Sequence, residues 1–193
     1  MADLNKSGRE ADLSRMLVIG PLVMAYLILD DLPPARFALI RLPHDLASQI
    51  LPQALFNLLA STTDRKYTNV YRHTNELLDV LTQDPMVSGV DVELGIVLRS
   101  MLEKFLDAFR MRTFDLLRGT YTAIPLEKVQ GYLGLEAEVV LQAAKNLGQW
   151  AYDANTRLLT PVPHSSLNIT DSTSNIMTFH SVAGTAVQLE SSI

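Results

Sequence analysis

The side chains that most often do chemistry in proteins are few in this sequence and widely separated. The histidines are His44, His73, His164 and His180, and none stands four residues from a second ligand type in a way that would indicate zinc. The segment HTNE, from His73 to Glu76, lacks the second histidine of a zinc-protease helix, so we interpret it as a solvated helix face. We therefore expect no bound metal.

Other catalytic arrangements are also weakly indicated. No G-x-S-x-G segment places a serine on a sharp turn, and the chain has no cysteine for a thiol nucleophile, a disulfide or a metal site. Glu136 and Glu138 could form an acid–base pair, but carboxylates in the first turn of a helix are more simply explained by the helix dipole. Gly131 and Gly134 lack the Lys-Ser/Thr ending of a phosphate-binding loop. We expect a protein that is not an enzyme and binds no cofactor or small-molecule substrate.

Composition limits the partners that charge alone could attract. The chain carries a net charge of -5, which argues against a general attraction to nucleic acid or to anionic lipid. One basic cluster, formed by Lys104, Arg110, Arg112 and Arg118, is expected to pair with acidic neighbours four residues away, or alternatively to dock an acidic partner. Hydrophobic residues make up 48% of the 193 residues, so we expect a partner to cover part of the surface.

An uncharged run extends from Met16 to Leu29 and ends at Asp30 and Asp31. A membrane-spanning helix needs about 20 apolar residues, so this run is too short to span. It predicts instead a helix of a soluble protein that neighbouring elements cover on most sides. We expect it to pack against a second helix that begins near Pro34.

The next segments predict further helices in hairpins. Pro43 ends the second helix, and a third is predicted from Asp45 to Ala60, with Pro52 bending its axis. A fourth helix is predicted within residues 64–83 and is capped by one of three side chains, Thr62, Thr63 or Asp64.

The fifth segment, residues 91–121, is one helix or two. Its apolar stripe consists of Leu94, Val97, Leu98, Met101, Leu102, Phe105, Leu106, Phe109 and Phe114. Hairpins that each bury only part of their surface are typical of a stacked α-solenoid, here of the TPR/HEAT-like kind over residues 12–118.

From residue 119 the pattern changes to that of a winged helix. GTYTAIP predicts a short strand, two compact helices meet at Gly134, and WAYDANTRLLTPVP alternates on both sides of a turn at residues 153–156. These parts predict a winged-helix subdomain over residues 119–162, with a small antiparallel sheet. Residues 163–193 follow as a Ser/Thr-rich linker and a C-terminal docking segment. This segment is either helical or irregular, since Gly184 and several β-branched residues disfavour a helix.

The order of these parts is similar to the PCI domain family, whose members scaffold the proteasome lid, the COP9 signalosome and translation initiation factor three. AYLILDDLPPARFALIRLP, DRKYTNVYRH and RMRTFDLLRGTYTAIPLEKVQGYLGL resemble segments of the small-subunit branch of that family. The resemblance covers roughly residues 22–160 and is closest to the signalosome member of the branch.

The resemblance implies a non-catalytic scaffold subunit of the signalosome, which removes a ubiquitin-like modifier from cullins. The expected partners are other PCI subunits, the expected location is nucleus and cytoplasm, and a membrane partner is not expected. In this family the winged-helix sheets line up side by side, and C-terminal helices gather into a bundle. The expected interface residues are therefore Trp150, Tyr152, Leu158 and Leu159 in the wing, and Ile176, Phe179, Val182 and Val187 in the tail.

Alternatives stay open at this stage. For Trp150 and Leu158 an ordinary place in the core is equally consistent with the sequence. The chain could belong to the proteasome lid or to initiation factor three instead of the signalosome. A nucleic-acid-binding winged helix is more remote, because Lys145 is the only cation on the second helix of the motif.

Overall fold

The computed structural model describes residues 2–83 and 90–162, and its side chains are described within residues 14–83 and 90–162. These residues are mainly helical with a small antiparallel sheet, which confirms the predicted fold class of helical hairpins followed by a winged helix. The helices are α1 (Ala2–Leu29), α2 (Leu32–Ile40), α3 (His44–Ala47), α4 (Ile50–Thr63), α5 (Tyr67–Thr82), α6 (Val92–Thr120), α7 (Leu126–Leu133) and α8 (Ala137–Leu147). The strands are β1 (Ile124–Pro125), β2 (Trp150–Asp153) and β3 (Leu158–Pro161).

The chain divides into two compact units, the first ending at Leu106 and the second beginning at Asp107. This division falls inside α6, whereas the sequence predicts a boundary after residue 118. The predicted limits of 12–118, 119–162 and 163–193 stay predictions.

In the first unit, α1 packs against α2 and α4, and α4 packs against α5. The prediction that the opening helix packs against the helix beginning near Pro34 is thus confirmed. Val23, Met24 and Leu27 of α1 are fully buried. None of the helices in the described ranges is both long enough and apolar enough to cross a membrane.

The single third helix predicted from Asp45 to Ala60 is wrong, because the structure contains two helices, α3 and α4, in this segment. Pro52 lies in the first turn of α4, where its missing N–H needs no partner, and so it does not bend a longer helix. The side-chain amide of Gln53 donates to the carbonyl oxygen of Ser48, at 3.1 Å, in the gap between the two helices.

The predicted cap of the fourth helix is also wrong. Thr62 and Thr63 belong to the last turn of α4 and Asp64 directly follows it, while Lys66 precedes α5 without a side-chain cap. The Thr62 hydroxyl donates instead to the carbonyl oxygen of Leu58, at 2.8 Å. A threonine between two helices can satisfy its hydroxyl in either direction, and here it bonds backward along α4.

The fifth segment is one helix, α6, of 29 residues. Its predicted stripe is mostly buried, and the fully buried members are Leu98, Phe105, Phe109 and Phe114. Val97 is 46% exposed, because it lies at the margin of the row that these residues form along the helix.

The second unit is built around the winged helix. Gly134 ends α7 in a left-handed conformation with φ of 59°, which turns the chain into α8. The described strands form one antiparallel sheet in the order β1-β3-β2. The core of this unit contains Phe114, Leu117, Ile124, Leu126, Val129, Leu133, Val140, Ala143, Ala144, Trp150 and Leu159.

Replacing Phe114 by alanine is expected to destabilise the second unit by about 3–5 kcal/mol, because the ring is fully buried and its removal leaves a cavity. Leu116→Ala is the matched control on the same helix, because Leu116 is 57% exposed and its loss should change the free energy of unfolding by no more than about 0.5 kcal/mol. Urea unfolding of both variants measures the difference. Equal effects would contradict the assigned core.

Candidate interaction edge of the winged helix

The hydrogen-bond register of the sheet determines which main-chain groups face outward. In an antiparallel pair of strands, residues that exchange hydrogen bonds alternate with residues that do not. The Val162 N–H donates to the carbonyl oxygen of Gln149, at 2.9 Å, just beyond the paired ends of β2 and β3. Because the pattern repeats every two residues, Ala151 and Thr160 are the next hydrogen-bonded pair after Gln149 and Val162.

Trp150 and Tyr152 occupy the alternate positions, opposite Pro161 and Leu159. Their main-chain N–H and C=O groups therefore point away from β3. The proline fits this register because position 161 needs no N–H toward β2. Since β2 is the last strand in the sheet order, these groups form an open edge among the residues that the structure describes.

The opposite edge of the sheet, formed by β1, has fewer main-chain groups that could bond to another strand. β1 has two residues, and Ile124 pairs with Leu159 while Pro125 pairs with Leu158. The outward position of β1 is thus a proline, which has no N–H to donate. A short strand ending in proline is a common way to block an edge, so β2 is the side of the sheet on which another strand can add.

The predicted wing residues divide between the core and the surface. Trp150 is 6% exposed, and its ring centroid lies 5.2 Å from that of Phe114, while Leu159 is fully buried. Tyr152 is 39% exposed and Leu158 is half-buried. The Trp150 side chain therefore belongs to the core, as the alternative interpretation of this residue expects. The interface role of the wing stays a prediction, and it depends on the main-chain groups and on Tyr152.

The other predicted interface residues lie in the tail. Ile176, Phe179, Val182 and Val187 fall outside the described residues, so their role also stays a prediction.

A side-chain cluster orders the turn that joins β2 to β3. Asp153 accepts a hydrogen bond from the Thr156 hydroxyl at 2.7 Å and one from the Asn155 N–H at 2.9 Å. The hydrogen bond from Thr156, followed by that from Asn155, holds the pKa of Asp153 below its usual value. Arg157 closes the turn with a φ of 54°, which lies in the left-handed region.

The exposed side of α8 is close to neutral. Glu138, Gln142, Lys145 and Asn146 are its exposed side chains, so one cation and one anion share this face. A helix that enters a DNA groove meets phosphates and usually carries more positive charge. The surface of α8 therefore gives no support to the nucleic-acid alternative.

Arg110 of the predicted basic cluster has a structural role that its spacing did not indicate. Its Nε donates to the carbonyl oxygen of Leu133 at 3.0 Å, at the last turn of α7. A cation there satisfies a free carbonyl and complements the helix dipole. The two residues are far apart in the sequence, so no local pattern could have revealed the contact. Arg118 lies 3.8 Å from Asp115, an acidic neighbour three residues away instead of the expected four.

Glu76 binds two neighbouring side chains of α5, those of His73 and Arg72. The His73 Nδ1 lies 2.8 Å from one oxygen of Glu76, and Arg72 Nη1 lies 3.1 Å from the other. The hydrogen bond from His73 holds the pKa of Glu76 below its usual value. Within residues 14–83 and 90–162, no three histidine or acidic side chains are grouped so that they could hold a metal ion.

A helical part followed by a winged helix is consistent with a PCI-like fold. Residues 95–168 match the sequence model of the CSN8/PSMD8/EIF3K family, a segment that contains most of α6 and the described winged helix. No curated protein matches the chain. The match confirms the predicted resemblance to the small-subunit branch of the PCI family, and it supports a subunit of a multi-subunit complex without distinguishing which complex.

Breaking the Asp153 cluster should raise the pKa of that carboxyl. Since the bonds lower the pKa in the folded state, their stabilising effect is present above the unfolded pKa and is lost as the pH falls through the folded pKa. Thr156→Val removes the first of these bonds and should move the pKa of Asp153 upward in an NMR titration. Thr160→Val is the control and should leave it unchanged; the same pKa in all three proteins would refute the assignment.

Proposed function

We propose that the chain is a non-catalytic scaffold subunit of the COP9 signalosome and that the open edge of β2 pairs with the sheet of a sister subunit. The single observation that carries this proposal is the outward direction of the main-chain groups of Trp150 and Tyr152. Such groups lose water on binding and must then be hydrogen-bonded by the partner.

Typical free energies indicate how much this edge can contribute to the affinity for a partner. Two residues offer up to four main-chain hydrogen bonds, each stabilising by about 0.5–1.5 kcal/mol net. The loss of translational and rotational freedom on association opposes binding by an estimated 4–15 kcal/mol. The edge therefore sets the register and direction of the partner, and further contacts must supply the remaining affinity. The predicted tail residues Ile176 and Phe179 are our candidates for these contacts.

The place of the chain in the cell follows from the same proposal. As a signalosome subunit it would work in nucleus and cytoplasm and support removal of the ubiquitin-like modifier from cullins by holding other subunits in place. The zinc-dependent active site would lie on a different chain. The proteasome lid and initiation factor three are the alternatives, since the matching family description includes all three kinds of subunit.

Tyr152→Pro tests the edge directly. The substitution removes an outward N–H but no hydrogen bond between β2 and β3, so the fold should persist while assembly with sister subunits falls about tenfold or more. Native mass spectrometry of the co-expressed subunits measures the assembled fraction.

Two variants control for the side chain and for folding. Tyr152→Ala removes the same ring but keeps the N–H, so it should assemble better than Tyr152→Pro. Ala151→Pro removes a bond within the hairpin and should unfold the wing. If Tyr152→Pro is folded and assembles as well as the unmodified chain, the edge is not the interface.

The identity of the complex is tested by affinity purification of the tagged full chain from cells, followed by mass spectrometry. We expect signalosome subunits at equal stoichiometry with the chain. Recovery of proteasome-lid or initiation-factor subunits instead would reject the signalosome and leave the edge proposal intact.

A further inference from the structure

A pocket of about 480 Å³ lies at the C-terminal end of α6, in the second unit. Its walls come from the last turns of α6, from the segment that leads to β1 and from the end of β3. Asp115 and Arg118 are the charged residues that line it. Val162, the last residue that the structure describes, lines it as well. The chain therefore leaves the described region at the wall of this pocket.

Arg118 is the cation of the pocket, and its charge is incompletely compensated. Its side chain is only 19% exposed, so the guanidinium has lost much of its contact with water. Nη2 lies 3.8 Å from Asp115, which is beyond hydrogen-bond distance, and the buried Nη1 has no hydrogen-bond partner among the described residues. Burial of a charged group costs free energy unless a partner compensates it. The pocket therefore favours an anion, and a carboxylate matches the planar guanidinium best.

The segment that follows the pocket supplies carboxylates and no cationic side chain. No lysine or arginine occurs after Arg157, and Asp171 is the first acidic residue, followed by Glu190. Asp171 lies nine residues after Val162, and an extended chain of that length spans about 30 Å, so its carboxylate can return to the pocket. Because the entropic cost of closing a loop rises with its length, Asp171 is favoured over Glu190.

We propose that residues 163–171 fold back onto this pocket and that the Asp171 carboxylate binds the Arg118 guanidinium. Alternate side chains of an extended segment lie on one face, so Leu167 and Ile169 would accompany Asp171 to the pocket. The wall formed by β3 is apolar and offers them contacts. The pocket is therefore an anchoring site for the C-terminal tail of the same chain.

This site concerns contacts within the chain, so it goes beyond the proposed function. The Val162 N–H donates to the carbonyl oxygen of Gln149, directly before β2, so the tail starts beside that strand. An anchor at Asp171 would hold Ile176 and Phe179 near the β2 edge, where they could contact a sister subunit. Only this last consequence rests on the proposed function.

Two other occupants are less favoured. An acidic side chain of a partner or of a second copy would lose translational and rotational freedom on binding, whereas Asp171 is tethered next to the pocket and has a high effective concentration there. Free phosphate also matches a guanidinium, but it makes no use of the apolar wall.

The lack of cysteine in the chain allows a cross-linking test in the full chain. Thr122→Cys places a thiol at the exposed rim of the pocket, and Ser172→Cys places one beside Asp171. Under mild oxidation this first pair should form an intramolecular disulfide at least about tenfold faster than a control pair, Asn146→Cys with Ser172→Cys. Asn146 is exposed on α8 and does not line the pocket.

Charge variants of the first pair test the contact itself. Asp171→Asn leaves every described residue unchanged and should slow disulfide formation about tenfold, because it removes the charge-assisted hydrogen bonds. Arg118→Gln should have the same effect, and both substitutions together should slow the reaction no further, because they remove one and the same contact. Glu190→Gln is the matched control and should leave the rate unchanged.

The proposal is overturned if the first pair reacts no faster than the control pair or if Asp171→Asn leaves its rate unchanged. A slower reaction with Glu190→Gln instead of Asp171→Asn would also overturn it. Disulfides between two chains, seen on non-reducing gels and increasing with protein concentration, would assign the pocket to a second copy and refute the anchor. None of these outcomes changes the assembly tests at Tyr152, so failure here is distinguishable from failure of the proposed function.

Discussion

The main chain of a β-strand carries hydrogen-bonding groups on both sides, and β2 has a neighbour on one side only among the described residues. This open edge would be of little use if the strand could move freely. The core prevents that, because Trp150 and Leu159 anchor the hairpin through side chains that are almost completely buried. The side chains of the wing therefore fix the strand, and its outward main-chain groups are those that the proposed partner would bind.

This division explains why the aromatic residue at the start of β2 is a core residue. Trp150 packs against Phe114, so the hairpin is attached to α6. The turn at Asp153 then fixes the far end of β2 through its hydrogen bonds to Asn155 and Thr156. A strand held at both ends loses little freedom when a partner binds, and preorganisation of this kind raises affinity.

The sequence predicted the parts of the fold that depend on local patterns. The continuous stripe of α6, the turn at Gly134 and the two-stranded wing all follow from periodicity and turn residues. Pro52 was misinterpreted because a proline fits either a bend or a first turn, and only the packing of α3 and α4 decides between them.

The candidate site was harder to predict because it depends on register and on contacts between distant residues. Alternation places Trp150 and Leu159 on one face of the wing, but Leu158 makes the other face apolar as well, so the pattern cannot show which face is buried. Likewise, the charges around Arg118 predict local pairing without revealing the pocket that this side chain lines at the end of α6.

Amide hydrogen exchange at the wing tests the central claim most directly. In the isolated chain, the amides of Trp150 and Tyr152 should exchange fast, while the amide of Ala151 is protected. In the assembled complex, the amides of Trp150 and Tyr152 should become protected as well. Protection of all three amides in the isolated chain, or unchanged fast exchange after assembly, would contradict an open strand edge that a sister subunit completes.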